Sequence, residues 1–194
     1  MIHPHTELKL ISEEIGYGVV ATKFIPAGTI TWVLDKLDRE FTPSEVEGLD
    51  PLYQDTLNTY SYRNSKGNFV LCWDKGRFVN HSFRSSCMST AYDFEVAIRD
   101  IQPGEQLTDD YGYLNVISPF QPVDEGTERK TVFPDDLPNF HKSWDKQIER
   151  VFPDIIRQEQ PLKPLMSVEL WKKVNSIIEG KEEMESILVN YFKE

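Results

Sequence analysis

Hydrophobic and polar positions alternate most regularly between Tyr92 and Arg99. Tyr92, Phe94, Val96 and Ile98 share one face, and Asp93, Glu95, Ala97 and Arg99 share the other. A period of two is the pattern of a strand with one buried face. Shorter apolar runs, Leu8 to Ile11, Gly18 to Phe24 and Thr29 to Leu34, predict three more strands, with Ile25-Pro26-Ala27-Gly28 as a turn between the last two. Asp100 to Glu105 loosely repeats that turn logic, and Pro103-Gly104 suits a type II turn with glycine at positive φ.

Helical periodicity is confined to the middle and the end of the chain. Residues 41–62 read as partly helical, with Thr42 or Ser44 as a cap before Pro43, and Tyr53, Leu57 and Tyr60 at spacings of four and three. A short helix is predicted over Lys142 to Val151, with Trp144, Ile148 and Val151 on one face. Ser167 can cap another carrying Leu170, Val174 and Ile177 or Ile178, with Gly180 as its stop. A last helix is expected to carry Met184, Ile187, Leu188 and Tyr191. Between Pro119 and Pro164 prolines are dense, as in a chain wandering over a surface. The pattern thus describes a mixed, mainly β chain whose helices gather towards its C-terminus.

Composition narrows the class. A chain of 194 residues with 39% hydrophobic content can fill one core and carry an appendage. No apolar run has bilayer-spanning length, and Met1-Ile2-His3-Pro4-His5 does not read as a secretory signal, so a cytoplasmic protein is expected. Cys72 and Cys87 form no C-x-x-C pair or disulfide framework, which fits a reducing compartment. The net charge of -11 is spread along the chain and opposes tight nucleic-acid binding. The same acidity suits a basic protein partner, or serves solubility alone. His3, His5, His81 and His141 offer no regular metal-ligand spacing, which leaves a metal-dependent hydrolase without support.

Three strings carry candidate chemistry. Gly16-Tyr17-Gly18 precedes a β-branched and aromatic run, so it does not open a helix as a dinucleotide-binding loop would. Arg77-Phe78-Val79-Asn80-His81-Ser82 is followed some two dozen residues later by Gly104-Glu105-Gln106-Leu107-Thr108-Asp109-Asp110-Tyr111. Each alone has a plain reading as a turn or a packed aromatic. Taken in this order and at this distance, they resemble the motifs of SET-domain protein lysine methyltransferases over roughly residues 7–118.

That resemblance implies a fold of small curved β-sheets (α+β) in which the N-H-S and D-Y segments cross in a knot-like arrangement. It places the domain at 1–118, with a variable insert at about 35–68, and leaves 119–194 as a Pro-rich, then helical, extension packing on it. It implies S-adenosylmethionine as cofactor, held by Gly16, Tyr17, Gly18, Asn80 and His81, and Tyr111 as the catalytic residue. Tyr60, Tyr62 and Tyr113 become candidate walls of a lysine channel, although core packing explains each equally well. The partner implied is a lysine-bearing protein or peptide, with a nuclear location open if the source is eukaryotic; no metal, membrane or nucleic-acid partner is implied.

Two departures from the family pattern stand out. The run after Ser82 is Phe83-Arg84-Ser85-Ser86-Cys87, and Asp109 occupies a position where many relatives carry the Phe or Tyr that helps set the number of methyl groups. Flanking zinc-binding segments are absent, so the extension is expected to close part of the channel through Phe120, Phe133, Trp144 or Phe152. The departures also leave open a second class, a catalytically silent docking module on the same fold.

Overall fold

A computed structural model describes residues 1–193. Strands β1 (Thr6–Ser12) and β2 (Gly16–Ala21) form an antiparallel hairpin, with Gly16 at φ +81° where the turn re-enters the strand. β3 (Ile30–Val33) belongs to a second sheet. β4 (Arg39–Phe41), α1 (Pro43–Glu47), α2 (Pro51–Tyr60), β5 (Ser61–Arg63) and β6 (Phe69–Leu71) make up the middle of the chain. There β6 pairs antiparallel with both β4 and β5. The cap at Thr42 forms a full capping box with Glu45, while Asp50 caps the second helix. Of the predicted Tyr53, Leu57 and Tyr60 stripe, Leu57 is buried, whereas both tyrosines are exposed because this short helix packs through one residue against Val46 and Phe69.

Next come β7 (Asn80–His81), β8 (Cys87–Ser89), β9 (Phe94–Ala97) and β10 (Thr108–Asp109). β9 is the alternating segment, and it lies between β3 and β8, antiparallel to both. Tyr92, Phe94, Val96 and Ile98 are all buried, as the alternation requires. Ala97 on the opposite face is buried too, since small residues at the centre of a sheet can be covered on both sides. The strand is four residues long, shorter than the alternation suggested, because Asp93 turns the chain at φ +57°.

The C-terminal part consists of α3 (Asp136–Val151), α4 (Val168–Ile178) and short 3₁₀ turns. α3 begins six residues before the predicted start, with Pro138 in its first turn where the missing N–H costs nothing. α4 starts at the predicted Ser167 cap, whose side chain accepts from the Leu170 N–H at 3.0 Å. The predicted last helix is instead a 3₁₀ turn at Ile187–Asn190. Asp145 of α3 overrides the helical periodicity there by accepting from the Ser186 hydroxyl at 2.6 Å and the Ile187 N–H at 2.8 Å.

One hydrophobic core joins the two parts of the chain. Phe94 from the sheet and Tyr92 from the turn before it pack with Phe152, while Trp144, Ile148 and Val151 of α3 are buried in the same cluster. Gln160 stitches the seam, its Oε1 accepting from Ile30 N–H at 2.8 Å and its Nε2 donating to the Gly28 carbonyl at 2.9 Å. The second core, with Val19, Ile25, Cys72, Cys87 and Leu107, lies under the hairpin and the motif segments. Both cysteines are buried and unpaired. Among the described residues no helix is long and apolar enough to cross a membrane.

Candidate active site

β7 and β10, far apart in sequence, pair in parallel, with Asn80 opposite Thr108 and Asp109 opposite His81. Flanking backbone bonds extend the crossing: Ser82 N–H donates to the Asp109 carbonyl at 2.9 Å, and Ser86 N–H to the Thr108 carbonyl at 3.1 Å. Such pairing satisfies the backbone of two short segments that no ordinary sheet contains. It also fixes Tyr111, which leaves β10 in a 3₁₀ turn capped by Asp110. The Tyr111 N–H donates to Nδ1 of His81 at 3.1 Å, and its hydroxyl donates to the Val79 carbonyl at 2.6 Å.

His81 is caged by aromatic rings, edge-on to Phe83, Tyr111 and Phe120 with centroids 4.5, 5.4 and 5.7 Å away. Since Nδ1 accepts, the ring proton belongs on Nε2, which is buried without a partner. Burial first, and the nearby Arg129 charge second, lower the His81 pKa to about 4, so the ring is neutral. Burial, reinforced by the carboxyls of Asp109 and Glu95, raises the Tyr111 pKa, so its phenol keeps its proton. Tyr111 is therefore suited to orienting a neighbour, and not to removing a proton from it.

The Gly16-Tyr17-Gly18 strand start is brought to the same place. Asn80 Nδ2 donates to the Tyr17 carbonyl at 3.2 Å and to Gln106 Oε1 at 3.1 Å. A Cβ on Gly18 would lie 2.5 Å from Gln106 Oε1 and 2.7 Å from Asn80 Nδ2, so any larger residue would push this contact apart. Gly16 faces open space, and Tyr17 is exposed. Of the five residues of the predicted cofactor shell, Tyr17 and Gly18 thus meet the Asn80 amide, while the His81 ring lies among the aromatic side chains beside Tyr111.

A cavity of about 630 Å³ opens on the other contacts of Tyr111, a size typical of small-ligand sites. Its walls include Trp32, Tyr60, Tyr62, Val79 and Phe120, with Glu95 and Asp109 also lining it. Tyr60 packs edge-on to Phe78 and Tyr62 edge-on to Trp32. Tyr113 does not line this cavity. It is buried with its ring against Trp144, and its hydroxyl donates to Asp109 Oδ1 at 2.9 Å.

The extension reaches the site through Phe120, Arg129 and Glu125, whose Oε2 accepts from the Phe83 N–H at 3.0 Å. Phe120, held by a bridge to Val132, lies against His81 and Tyr111. Arg129 forms ion pairs with buried Asp110 and Asp136 and lies over the rings of Phe83 and Phe140, each 4.6 Å from its centroid. The residue next to Tyr111 is thereby tied to the start of α3. Of the aromatics expected to close a channel, Phe120 lines the cavity; Phe133 is exposed, and Trp144 and Phe152 are core residues. Glu95, Trp32 and Arg129 escaped the sequence reading, because none belongs to a motif and each acts across a long sequence separation.

The SET-domain family model matches residues 16–112, half of the chain, and the chain belongs to that family. It is also similar to a histone-lysine N-methyltransferase, H3 lysine-9 specific, of Schizosaccharomyces pombe. The two are 33% identical over 132 residues, which cover 57% of this chain and 26% of that protein. The chain therefore spans about a quarter of the length of the curated relative it matches.

Proposed function

We propose that this chain transfers a methyl group from S-adenosylmethionine to the side-chain amine of a lysine in a protein substrate. The observation that carries the reading is the β7–β10 crossing, which joins the Asn80-His81 pair to Tyr111 and sets Tyr111 in the wall of a ligand-sized cavity. SET-domain membership and the lysine methyltransferase relative support the same chemistry. When bound, the cofactor supplies a methyl carbon activated by a positive sulfur.

Gly16, Tyr17, Gly18, Asn80 and His81 would hold that cofactor. The close approach at Gly18 and the exposed backbone at Gly16 fit a ligand laid against the strand start. Tyr111, with its hydroxyl drawn to the Val79 carbonyl, would align the amine, and Trp32, Tyr62 and Phe120 would exclude water from it. Residues 1–118 would form the catalytic domain, with 119–194 as the extension that closes it. The acidic surface favours a basic substrate protein.

Calorimetry on Asn80→Ala tests the cofactor shell. The substitution is expected to abolish measurable S-adenosylmethionine binding while the thermal unfolding transition stays cooperative. Unchanged affinity would remove Asn80 from the shell.

A further inference from the structure

Methyl transfer requires a neutral amine, whereas a lysine with a pKa of about 10.4 is charged near neutrality. The neutral ring of His81 has its Nδ1 engaged, and Tyr111 holds its proton, so neither takes one from the substrate. The cavity contains another candidate. Glu95, on β9, and Asp109, on β10, both line it, close enough for each to influence the titration of the other. Asp109 is 4% exposed, and its Oδ1 accepts from the Tyr113 hydroxyl at 2.9 Å. Glu95 Oε1 accepts from the Ser89 hydroxyl at 3.1 Å. Two neighbouring buried carboxyls cannot both ionise cheaply, so such a pair tends to hold one proton.

Independent of the acids, Trp32 lines the same cavity at 7% exposure with its indole N–H left without an acceptor. A buried donor without an acceptor is costly and points to a ligand that supplies one. A lysine-bearing peptide brings both a cation for the acids and backbone carbonyls for the indole.

The surroundings do not neutralise the pair. Asp110, next along the chain, adds a like charge, although Arg129 takes up its carboxylate. Tyr62, Cys72 and Cys87 are held protonated by burial. The Met1 ammonium favours the charged form of Glu95 but is paired with Asp35 at 2.8 Å. Arg63 and Arg77 also line the cavity, lying over the rings of Phe192 and Phe78.

We propose that Glu95 and Asp109 form the receiving site for the substrate's ammonium, binding the cationic lysine head and taking its proton before methyl transfer. This rests on the methyl-transfer reading. One N–H bond of the ammonium breaks as an O–H bond forms on the unprotonated carboxyl oxygen of the pair. The freed nitrogen lone pair then forms the N–C bond to the methyl of a sulfonium donor, whose carbon–sulfur pair stays on sulfur. Positive charge returns to nitrogen, the pair releases the captured proton to water, and its restored carboxylate can again hold the cation. Burial raises the pKa of both carboxyls, reinforced by the Asp109 charge for Glu95 and by the Asp110 charge for Asp109, which brings them closer to that of a desolvated amine.

Nuclear magnetic resonance on the full chain tests this with n-butylammonium as a lysine side-chain probe and n-butanol as its uncharged counterpart. The Trp32 indole N–H signal reports occupancy. Wild type is expected to bind the ammonium at least about tenfold more tightly than the alcohol, and Glu95→Gln and Asp109→Asn to lose that preference. Both variants keep hydrogen-bonding groups, and either one that folds suffices. Transfer assays on a lysine peptide across pH provide the second readout. Each variant is expected to shift the acidic limb of the rate profile, whereas Tyr111→Phe lowers the rate and leaves the limb in place.

If wild type transfers methyl but shows no ammonium preference, or the limb does not move, the receiving-site proposal is overturned and the methyltransferase reading stands. If the preference is present and lost in the variants but no lysine is methylated, the binding half of the proposal stands and the enzymatic reading fails, taking the proton-transfer half with it.

Discussion

The motif region and the extension build one site by different means. In the motif region, Asn80-His81 and Thr108-Asp109 are held by backbone pairing, and Tyr111 by hydrogen bonds to His81 and Val79. In the extension, Arg129 and Phe120 contribute through single side chains set on an irregular path. Backbone pairing constrains neighbours in sequence and so leaves short signatures. A lone guanidinium between two carboxylates leaves none. The extension is therefore expected to be fragile where it depends on one residue, and the motif region where it depends on close backbone approach.

Arg129→Ala should produce the largest loss. It strands the buried Asp110 and Asp136, and breaking a buried pair by removing one partner costs about 3–5 kcal/mol. Chemical denaturation checks this, and a loss below 1 kcal/mol would show that the extension is held elsewhere. Gly18→Ala strikes the motif region. Its methyl meets Gln106 Oε1 at 2.5 Å and Asn80 Nδ2 at 2.7 Å, so a cost of about 1–3 kcal/mol with weakened cofactor binding is expected. Full stability with unchanged affinity would mean that the approach at Gly18 is not required.

The smallest effect concerns pH and joins the two regions through His81. Its folded pKa, about 4, lies below the ordinary 6.5, so between these values the unfolded chain binds more protons. Its contribution to stability is complete above the unfolded value and falls as pH drops through 6.5 towards 4. The buried carboxyls have raised pKa values and act in the opposite sense, losing stability as pH rises from the unfolded carboxylate range. Denaturation midpoints of His81→Asn should fall less on acidification than those of wild type. Equal slopes would exclude His81 as a source of acid sensitivity.

Legibility in the sequence followed the same division. The Tyr92 to Arg99 alternation located β9, and the Thr42 and Ser167 caps located two helix starts, because each signal is local. The last predicted helix was lost to Asp145, which captures Ser186 and Ile187 from far along the chain. Tyr113 shared the aromatic character of Tyr60 and Tyr62, yet the turn after Asp110 sends it into the core. Asp109 was conspicuous in sequence, but its partner Glu95 read only as the polar face of a strand. No periodicity could join them, since the packing of two separate sheets brings both to one cavity.

The most direct measurement incubates purified chain with radiolabelled S-adenosylmethionine and a cell lysate, beside Tyr111→Phe as control. The account predicts label on lysine of one or more proteins, reduced about tenfold or more in the variant, equivalent to about 1.4 kcal/mol of barrier. Equal labelling by both proteins would contradict the role of Tyr111, and no labelling together with no cofactor binding would contradict the enzyme itself.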